Sequence, residues 1–325
     1  MNKIGFTTSI PVEIILAAGK VPLDLNNIFI GSEKAKQFVD IAEEAGYPRN
    51  TCGWIKGLYA VALETELEAV IAVMQGDCSN TQALMETLQM QNLTILPFAY
   101  PYDRDPDMLL SQMEKLMRVF GVNWTEVESV RSDLLEIRKL CQELDTMTWQ
   151  HNLVSGEENH RYLVSSSDFN GYPEQFQKEL ETFIAQVKKR EPFKEQVRLA
   201  FIGVPPIFTD FYQVLESMGA RVVYNEVQRQ FSMPFTSRNL VEQYQQYTYP
   251  YGAFARLEDI KEQLALRQVD GIIHYTQTFC FRQIEDIIYR QRINLPFLTL
   301  EGDKPGRVDA RSRMRLEAFV NMLKY

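Results

Sequence analysis

Short apolar runs alternate along the chain with segments in which apolar residues recur every three or four positions. The runs at 69–74, 197–203 and 271–275 lack the polar alternation of a half-exposed strand, which indicates strands buried on both faces of a parallel sheet. Helical periodicity follows each run, as in repeated strand–helix units. The pattern predicts an α/β protein with two Rossmann-like (flavodoxin-like) parallel-sheet domains.

The middle of the chain has a different pattern. Residues 107–144 and 173–189 carry helical stripes with many charges and no strand-like run between them. We therefore expect three parts: an N-terminal α/β domain at 1–105, a helical insert and connection at 106–192, and a C-terminal α/β domain at 193–325.

Three local segments have weaker signals. Ser9 precedes Pro11, which predicts a helix over 11–18 with Ser9 as its N-cap. Residues 21–30 are expected to be extended. Segment 228–254 is rich in aromatic and Gln residues without a clear period, so we expect a long connection that contains a helix.

Composition narrows the possible functions. A chain of 325 residues favours two domains, and its net charge of -9 argues against a nucleic-acid surface, which needs a dense basic face. The apolar N-terminal stretch is broken by Pro11 and Glu13 and lacks the basic region and cleavage site of a signal peptide. No apolar run reaches the roughly 20 residues that span a bilayer. We expect a cytoplasmic protein with neither a membrane nor a nucleic-acid partner.

The four cysteines carry most of the chemical information. Cys52, Cys78 and Cys280 lie on turns that follow a predicted strand or begin a predicted helix. Cys141 lies in an apolar helical stripe, which predicts a small buried residue. At Cys52, the N-terminus of a helix predicts a lowered thiol pKa. In a reducing compartment such thiols are buried, catalytic or metal-binding rather than paired in disulfides.

No familiar nucleotide, metalloprotease or hydrolase motif accompanies these cysteines: GxGxxG after a strand, GxxxxGK[ST], HExxH, GxSxG and CxxC are absent. For His151, His160 and His274 we expect structural or solvated roles. Three thiolates on separate loops suit an iron–sulfur cluster, and on a [4Fe–4S] cluster they would leave one iron open. Their long separations match no local metal motif, so spacing alone favours inert thiols.

Several segments, in order along nearly the whole chain, carry a family resemblance. They are SIPVEIILAAGKVPL near the start, GYPRNTCGW at Cys52, GDCSNT at Cys78, the strand–turn–helix at Cys280, and the closing LPFLTLEGD and RSRMRLEAFVNML. Together they resemble the 2-hydroxyacyl-CoA dehydratase family, which includes the iron–sulfur subunits of ATP-dependent benzoyl-CoA reductases. This chain is shorter than most members, and after Cys78 it has Ser79, Asn80 and Thr81 where relatives often carry Asp-Gly and basic residues.

The resemblance implies a [4Fe–4S] cluster held by Cys52, Cys78 and Cys280 where two α/β domains meet. It implies a homodimer, or a heterodimer with a paralogous subunit, that takes single electrons from an ATP-hydrolysing activator protein carrying its own cluster under anaerobic conditions. The open iron would bind the thioester carbonyl of an acyl-CoA substrate, leading through a ketyl radical to a lyase (dehydratase) or reductase reaction. Ser9 and Glu13 would be catalytic residues facing the cluster; a helix cap and a helix-dipole partner are their alternative roles.

Other functions stay open at the level of sequence. One is a small-molecule reductase without a CoA substrate, and another is a cluster-bearing electron-transfer or accessory subunit. A third is a two-domain binding protein with inert cysteines. The last requires Cys52, Cys78 and Cys280 to lie far apart in the folded chain, so their placement discriminates it from the others.

Overall fold

The computed structural model describes residues 2–194 and 197–324, and its strands form two parallel sheets. The first sheet consists of β1 (Lys3–Phe6), β2 (Val21–Asp24), β3 (Ala69–Gln75) and β4 (Ile95–Ala99). The second consists of β5 (Val197–Gly203), β6 (Ala220–Asn225), β7 (Gly271–Gln277) and β8 (Phe297–Gly302). Their orders, β2-β1-β3-β4 and β6-β5-β7-β8, are the same arrangement repeated. The predicted α/β class with two flavodoxin-like units is confirmed.

Helices pack against both sheets and fill the chain between them. The first unit contains α1 (Val12–Ala17), α2 (Leu25–Gly31), α3 (Ala35–Glu44), α4 (Gly53–Glu64) and α5 (Thr81–Met90). The intervening part contains α6 (Pro106–Phe120), α7 (Trp124–Trp149), α8 (Gly156–Ser165), a 3-10 turn (Phe169–Gly171) and α9 (Pro173–Val187). The second unit contains α10 (Phe211–Ser217), α11 (Glu226–Phe231), α12 (Leu240–Gln246), α13 (Ala253–Leu266), a 3-10 turn (Phe281–Ile284), α14 (Glu285–Arg292) and α15 (Ala310–Leu323). In the described ranges, no helix combines the length and apolarity needed to cross a membrane.

Helix α7 connects the two sheet units through buried charges. Its Arg138 donates to Glu13 of α1 at 2.6 Å, and both side chains are buried. Two turns further on, its Asp145 pairs with the buried Arg267, which follows α13. Cys141 lies between them and is fully buried in the core, as its apolar spacing predicted. One face of a single helix is thus paired to both halves of the chain.

The predicted N-cap role of Ser9 is wrong. Helix α1 begins after Pro11, and no side chain caps its N-terminus. Ser9 lies two residues before that N-cap position. Its main-chain carbonyl instead accepts a hydrogen bond from the buried Tyr100 hydroxyl at 2.8 Å.

The prediction of extended chain over 21–30 is also wrong beyond its first residues. Strand β2 ends at Asp24, whose carboxylate accepts a hydrogen bond from the backbone N–H of Asn26 at 2.9 Å and so begins α2. Leu25 and Phe29 are one turn apart and both are fully buried, which makes a helix the better way to cover the sheet.

Segment 228–254 is more regular than its sequence indicates. We expected a long connection with one helix, whereas it contains most of α11, all of α12 and the start of α13. The Asn239 side chain caps α12 by accepting from the backbone N–H of Glu242 at 2.9 Å. The aromatic residues of the segment other than the exposed Phe254 pack into the core of the first unit, so the segment shows no amphipathic period.

Candidate functional site

The site lies where the strand order reverses in each sheet. In both units the first strand lies between the second and the third. In the first sheet, the loops that follow the neighbouring strands β1 and β3 therefore run toward opposite sides of the sheet. The loops that follow β5 and β7 do the same in the second sheet. Ligands of open α/β sheets bind at such switch points. Residues from all four of these loops, including Cys78 after β3 and Cys280 after β7, line one cavity.

The cavity has a volume of about 90 Å³, and its wall is mostly apolar. Cys52, Cys78 and Cys280 all line it, and Cys141 does not. The binding-protein hypothesis, which required the three cysteines to lie far apart, is therefore not supported. The other side chains that line it are those of Thr7, Thr8, Asp24, Asn26, Asn27, Ile30, Trp54, Ile55, Leu58, Asp77, His160, Val164, Val204, Pro205, Phe231, Tyr249, Gln277, Phe281 and Arg282.

Each of the three cysteines is followed by the start of a helix. Cys52 is the N-cap residue of α4, Cys280 is the N-cap residue of the 3-10 turn before α14, and Cys78 lies three residues before α5. The backbone N–H of Asn80 donates to Cys78 Sγ at 3.4 Å. The backbone N–H groups of Trp54 and Arg282 lie two residues after Cys52 and Cys280. They likewise donate hydrogen bonds that lower the pKa of these two thiols. All three sulfurs therefore share one local arrangement that favours negative charge.

Burial nevertheless dominates the pKa of these thiols. It raises the pKa of Cys52 and that of Cys78 to about 12, and it raises the pKa of Cys280 as well. The backbone N–H groups lower these pKa values by less than burial raises them. The predicted lowering of the Cys52 pKa is wrong, because loss of solvent outweighs the helix N-terminus. In the polypeptide alone the thiols hold their protons at neutral pH, and any metal bound by these sulfurs would have to displace the protons.

Charged groups stand beside the thiols. Arg282 is buried, donates to the Tyr249 carbonyl oxygen at 3.0 Å and lies over the Tyr249 ring at 4.5 Å. Asp77 immediately precedes Cys78, and burial raises the pKa of its carboxyl to about 7 although the Arg282 charge opposes this rise. The cavity therefore combines an apolar wall with one cation and one carboxyl next to the cysteine loops.

Neither Ser9 nor Glu13 lines the cavity. Glu13 is fully buried, where it accepts from Arg138, from Gln243 Nε2 at 2.9 Å and from the Tyr244 hydroxyl at 3.0 Å. These three donors compensate the buried negative charge of Glu13, so its carboxylate needs no bound ligand. Glu13 does lie in the first turn of α1, as its alternative role as a helix-dipole partner requires. A catalytic role for the two residues stays a prediction.

The donor set fits an iron–sulfur cluster better than a single metal ion. Within 2–194 and 197–324, no three His, Cys, Asp or Glu side chains come close enough together to hold one ion. A cluster makes a different demand, because each thiolate binds a different iron and the sulfurs stand further apart. Three soft sulfur donors on three separate loops in an apolar cavity meet that demand.

One known family matches nearly the whole chain. Residues 7–323 match the model of the family described as 2-hydroxyglutaryl-CoA dehydratase, D-component. The chain belongs to this family. The match covers all three cysteine loops and every strand except β1, and it confirms the resemblance to 2-hydroxyacyl-CoA dehydratases. A search of curated proteins finds no match.

Sequence reasoning missed the two Asp residues, the His and the Arg that line the cavity of this dehydratase-family chain. Asp77 and Arg282 stand one and two residues from predicted site cysteines, a proximity that could have found them. Asp24 was hidden inside the segment taken as extended. His160 was expected to be structural or solvated, and nothing in its neighbourhood along α8 signals a place in the cavity wall.

Proposed function

We propose that the chain is the cluster-bearing component of a radical 2-hydroxyacyl-CoA dehydratase, or of a closely related acyl-CoA reductase. Cys52, Cys78 and Cys280 would hold a [4Fe–4S] cluster. The observation that carries the proposal is that these three thiols, and not Cys141, meet at one cavity between the two switch points. Membership of the dehydratase family supports the choice of substrate class and of partner.

The polypeptide would make three contributions at this site. Its three cysteine loops would fix the sulfurs, and the N–H groups of Trp54, Asn80 and Arg282 would stabilise their thiolate charge once metal displaces the protons. The apolar wall would keep water away from the reacting group, which strengthens electrostatic interactions within the cavity. Bound there, the cluster would supply single electrons and, at the iron without a cysteine, a Lewis acid for a thioester carbonyl.

We also propose a docking surface for the electron donor beside Cys280. Four large apolar side chains of the 3-10 turn, of α14 and of the loop before them are exposed: Phe279, Phe281, Ile284 and Ile287. We call this set the α14 patch. Electrons from an ATP-hydrolysing activator must reach the cavity from outside, and the α14 patch flanks a loop that lines it. Four exposed large apolar side chains within residues 279–287 favour a protein partner.

The experiment is cluster content in matched cysteine variants. The full chain and the variants Cys52→Ser, Cys78→Ser, Cys280→Ser and Cys141→Ser are prepared without oxygen, reconstituted with iron and sulfide, and analysed for both elements and by EPR. We expect about four irons per chain in the wild type and in Cys141→Ser. The other three variants should lose most of their iron, because each removes one of the three thiolates.

Turnover is then measured with 2-hydroxyglutaryl-CoA, an ATP-dependent activator and ATP. Formation of an unsaturated acyl-CoA supports the dehydratase, and formation of a product with two added electrons supports the reductase. Equal iron in Cys280→Ser and Cys141→Ser would contradict the cluster assignment. A loaded cluster that is reduced by the activator but turns over no thioester would show an electron-transfer subunit instead.

A further inference from the structure

His160 of α8 lines the cavity with only one of its two ring nitrogens engaged. Nδ1 lies 2.9 Å from the side-chain amide nitrogen of Gln228. Nε2 has no hydrogen-bond partner within the described chain. The residue also lines a groove that continues outward from the cavity between α2, α8 and α10. Which nitrogen carries the proton decides what His160 offers to a bound molecule.

A chain of hydrogen bonds leads to His160 from the buried ion pair of α7. Asp145 Oδ1 accepts from Arg267 and, at 3.1 Å, from Asn159 Nδ2. The Arg267 charge holds the pKa of Asp145 below its usual value although burial opposes this, so the carboxylate can only accept. Asn159 must therefore present its amide nitrogen to Asp145 and its oxygen to Asn225 Nδ2, which is 2.8 Å away.

Asn225 and Tyr212 also have fixed donor and acceptor roles in this chain of hydrogen bonds. Asn225 Nδ2 also donates to the Gly156 carbonyl oxygen at 3.2 Å, so two acceptors fix the orientation of this amide. Its oxygen then accepts from the Tyr212 hydroxyl at 2.9 Å. With its proton committed to Asn225, the Tyr212 oxygen accepts from Gln228 Nε2 at 3.5 Å. Gln228 is thereby oriented with its NH₂ group toward both Tyr212 and His160.

The NH₂ group of Gln228 can only donate, so His160 Nδ1 must be the acceptor. The proton of a neutral imidazole then lies on Nε2. Burial lowers the pKa of His160 to about 4, which keeps the ring neutral at physiological pH. A neutral imidazole held in one tautomer donates a hydrogen bond without introducing a positive charge.

We propose that His160 is a substrate-binding residue whose Nε2–H donates to an acceptor oxygen of the acyl group in the cavity. This inference rests on the proposed function for the identity of the ligand, whereas the tautomer rests on contacts within the chain. A fixed donor in a largely apolar cavity stabilises an oxygen that gains negative charge during reaction. The side chain needs no rearrangement to do so, because five residues orient it in advance.

The tautomer is tested first, by long-range ¹H–¹⁵N correlation NMR on the full chain before cluster reconstitution. His274 provides an internal reference of the opposite form, because its Nδ1 lies 2.8 Å from Asp286 Oδ1 and must donate to that carboxylate. We expect His160 to show a protonated Nε2 and a bare Nδ1 at pH 7, and no protonation down to about pH 5. The Nδ1–H form at His160 would overturn the proposal.

The ligand is tested with the variants His160→Gln and His160→Leu in the reconstituted enzyme. Gln can place an amide N–H near the position of Nε2, whereas Leu keeps only the volume. With 2-hydroxyglutaryl-CoA, we expect His160→Leu to lower kcat/KM by about tenfold to a hundredfold and His160→Gln to stay within about threefold of wild type. Iron content and circular dichroism of both variants should match wild type.

The outcomes separate this inference from the proposed function. Equal kcat/KM in His160→Leu and wild type would overturn the role of His160 while the dehydratase assignment stands. An inactive wild type with a full cluster would overturn the proposed function and with it the acyl ligand, and the NMR spectrum would still decide whether Nε2–H is presented to the cavity. Loss of activity in both variants at unchanged iron content would also contradict donation from Nε2.

Discussion

Gly53 lies directly against the main-chain carbonyl of Asp303: a methyl group added at Gly53 would come within 2.7 Å of that oxygen. Gly53 is the first residue of α4 and follows Cys52, whereas Asp303 follows the last strand of the second sheet. Gln277 Nε2 donates to the same oxygen at 2.6 Å, which holds it in place. The Cys52 loop is thus seated on the opposite half of the molecule by a contact that only glycine permits.

We predict that Gly53→Ala reduces cluster content by more than half and destabilises the fold by about 1–3 kcal/mol, the usual range for overpacking at a rigid contact. Reconstitution followed by iron analysis, with urea unfolding in parallel, measures both. Gly31→Ala is the matched control, because a Cβ there meets nothing within 4 Å. Wild-type iron content in Gly53→Ala would mean that the Cys52 loop can move away from Asp303 without effect.

The thiols of the cluster-free chain should not ionise near neutral pH. Burial raises the pKa of Cys52, Cys78 and Cys141 to about 12, so each is protonated below that pH. We predict that thiolate absorbance in the ultraviolet stays near its baseline up to about pH 9 and rises only above about pH 10. A thiolate that titrates near pH 7 in the folded chain, and disappears in Cys52→Ser, would contradict the dominance of burial at this site.

Metal binding should reverse this preference, because bound iron needs thiolate and each thiol must lose its proton. Raising the pH during reconstitution should therefore increase cluster yield at limiting iron, by up to about tenfold per pH unit for each thiol that ionises. The yield is measured between pH 7 and pH 9. A flat profile over this range would show that the sulfurs are already thiolates.

The buried pair of Glu13 and Arg138 should matter for stability rather than for cluster assembly. Removing one partner leaves the other charge buried without its counter-ion, so Glu13→Ala should lower the free energy of unfolding by about 3–5 kcal/mol. The double variant Glu13→Leu/Arg138→Met should lose less than either single variant, since neither charge remains. Urea unfolding of the wild type, Glu13→Ala, Arg138→Met and the double variant measures this. Full stability of Glu13→Ala with loss of turnover would instead favour the catalytic role expected from the family resemblance.

Charge on the α14 patch should block the electron donor and leave the cluster intact. We predict that Ile284→Lys/Ile287→Lys slows activator-dependent reduction by about tenfold or more, because burying an unpaired charge in an interface is costly. Reduction by dithionite should be unchanged. Met322→Lys, on the exposed face of α15, is the control. Equal rates in the double variant and the control would place the donor elsewhere.

The fold and the cysteine loops could be read from the sequence because their signals are local. An apolar run predicts a buried parallel strand. A cysteine just past the end of that strand must lie near the ligand-binding edge of the sheet. The convergence of Cys52, Cys78 and Cys280 depends on how two sheets face each other, which no spacing along the chain encodes.

The parts that could not be predicted depend on contacts between distant segments. Asp24 begins a helix within an apolar stretch, where its own hydrogen bond to Asn26 and the burial of the following turn override the extended pattern. The tautomer of His160 depends on side chains from α7, α8, α10, α11 and β6. Burial also reversed the expected direction of the Cys52 pKa, because the sequence shows the helix N-terminus but not the loss of solvent.

The two ion pairs of α7 have a consequence for any attempt to divide this polypeptide. A fragment that ends before α7 would retain Glu13 without Arg138, and one that begins after it would retain Arg267 without Asp145. Each fragment would keep one charged side chain without its ion-pair partner, at a cost of about 3–5 kcal/mol, which is a large fraction of the stability of a domain. The two halves should therefore melt together in a single transition, and neither should be obtained as a soluble piece by cutting the gene at the segment boundaries.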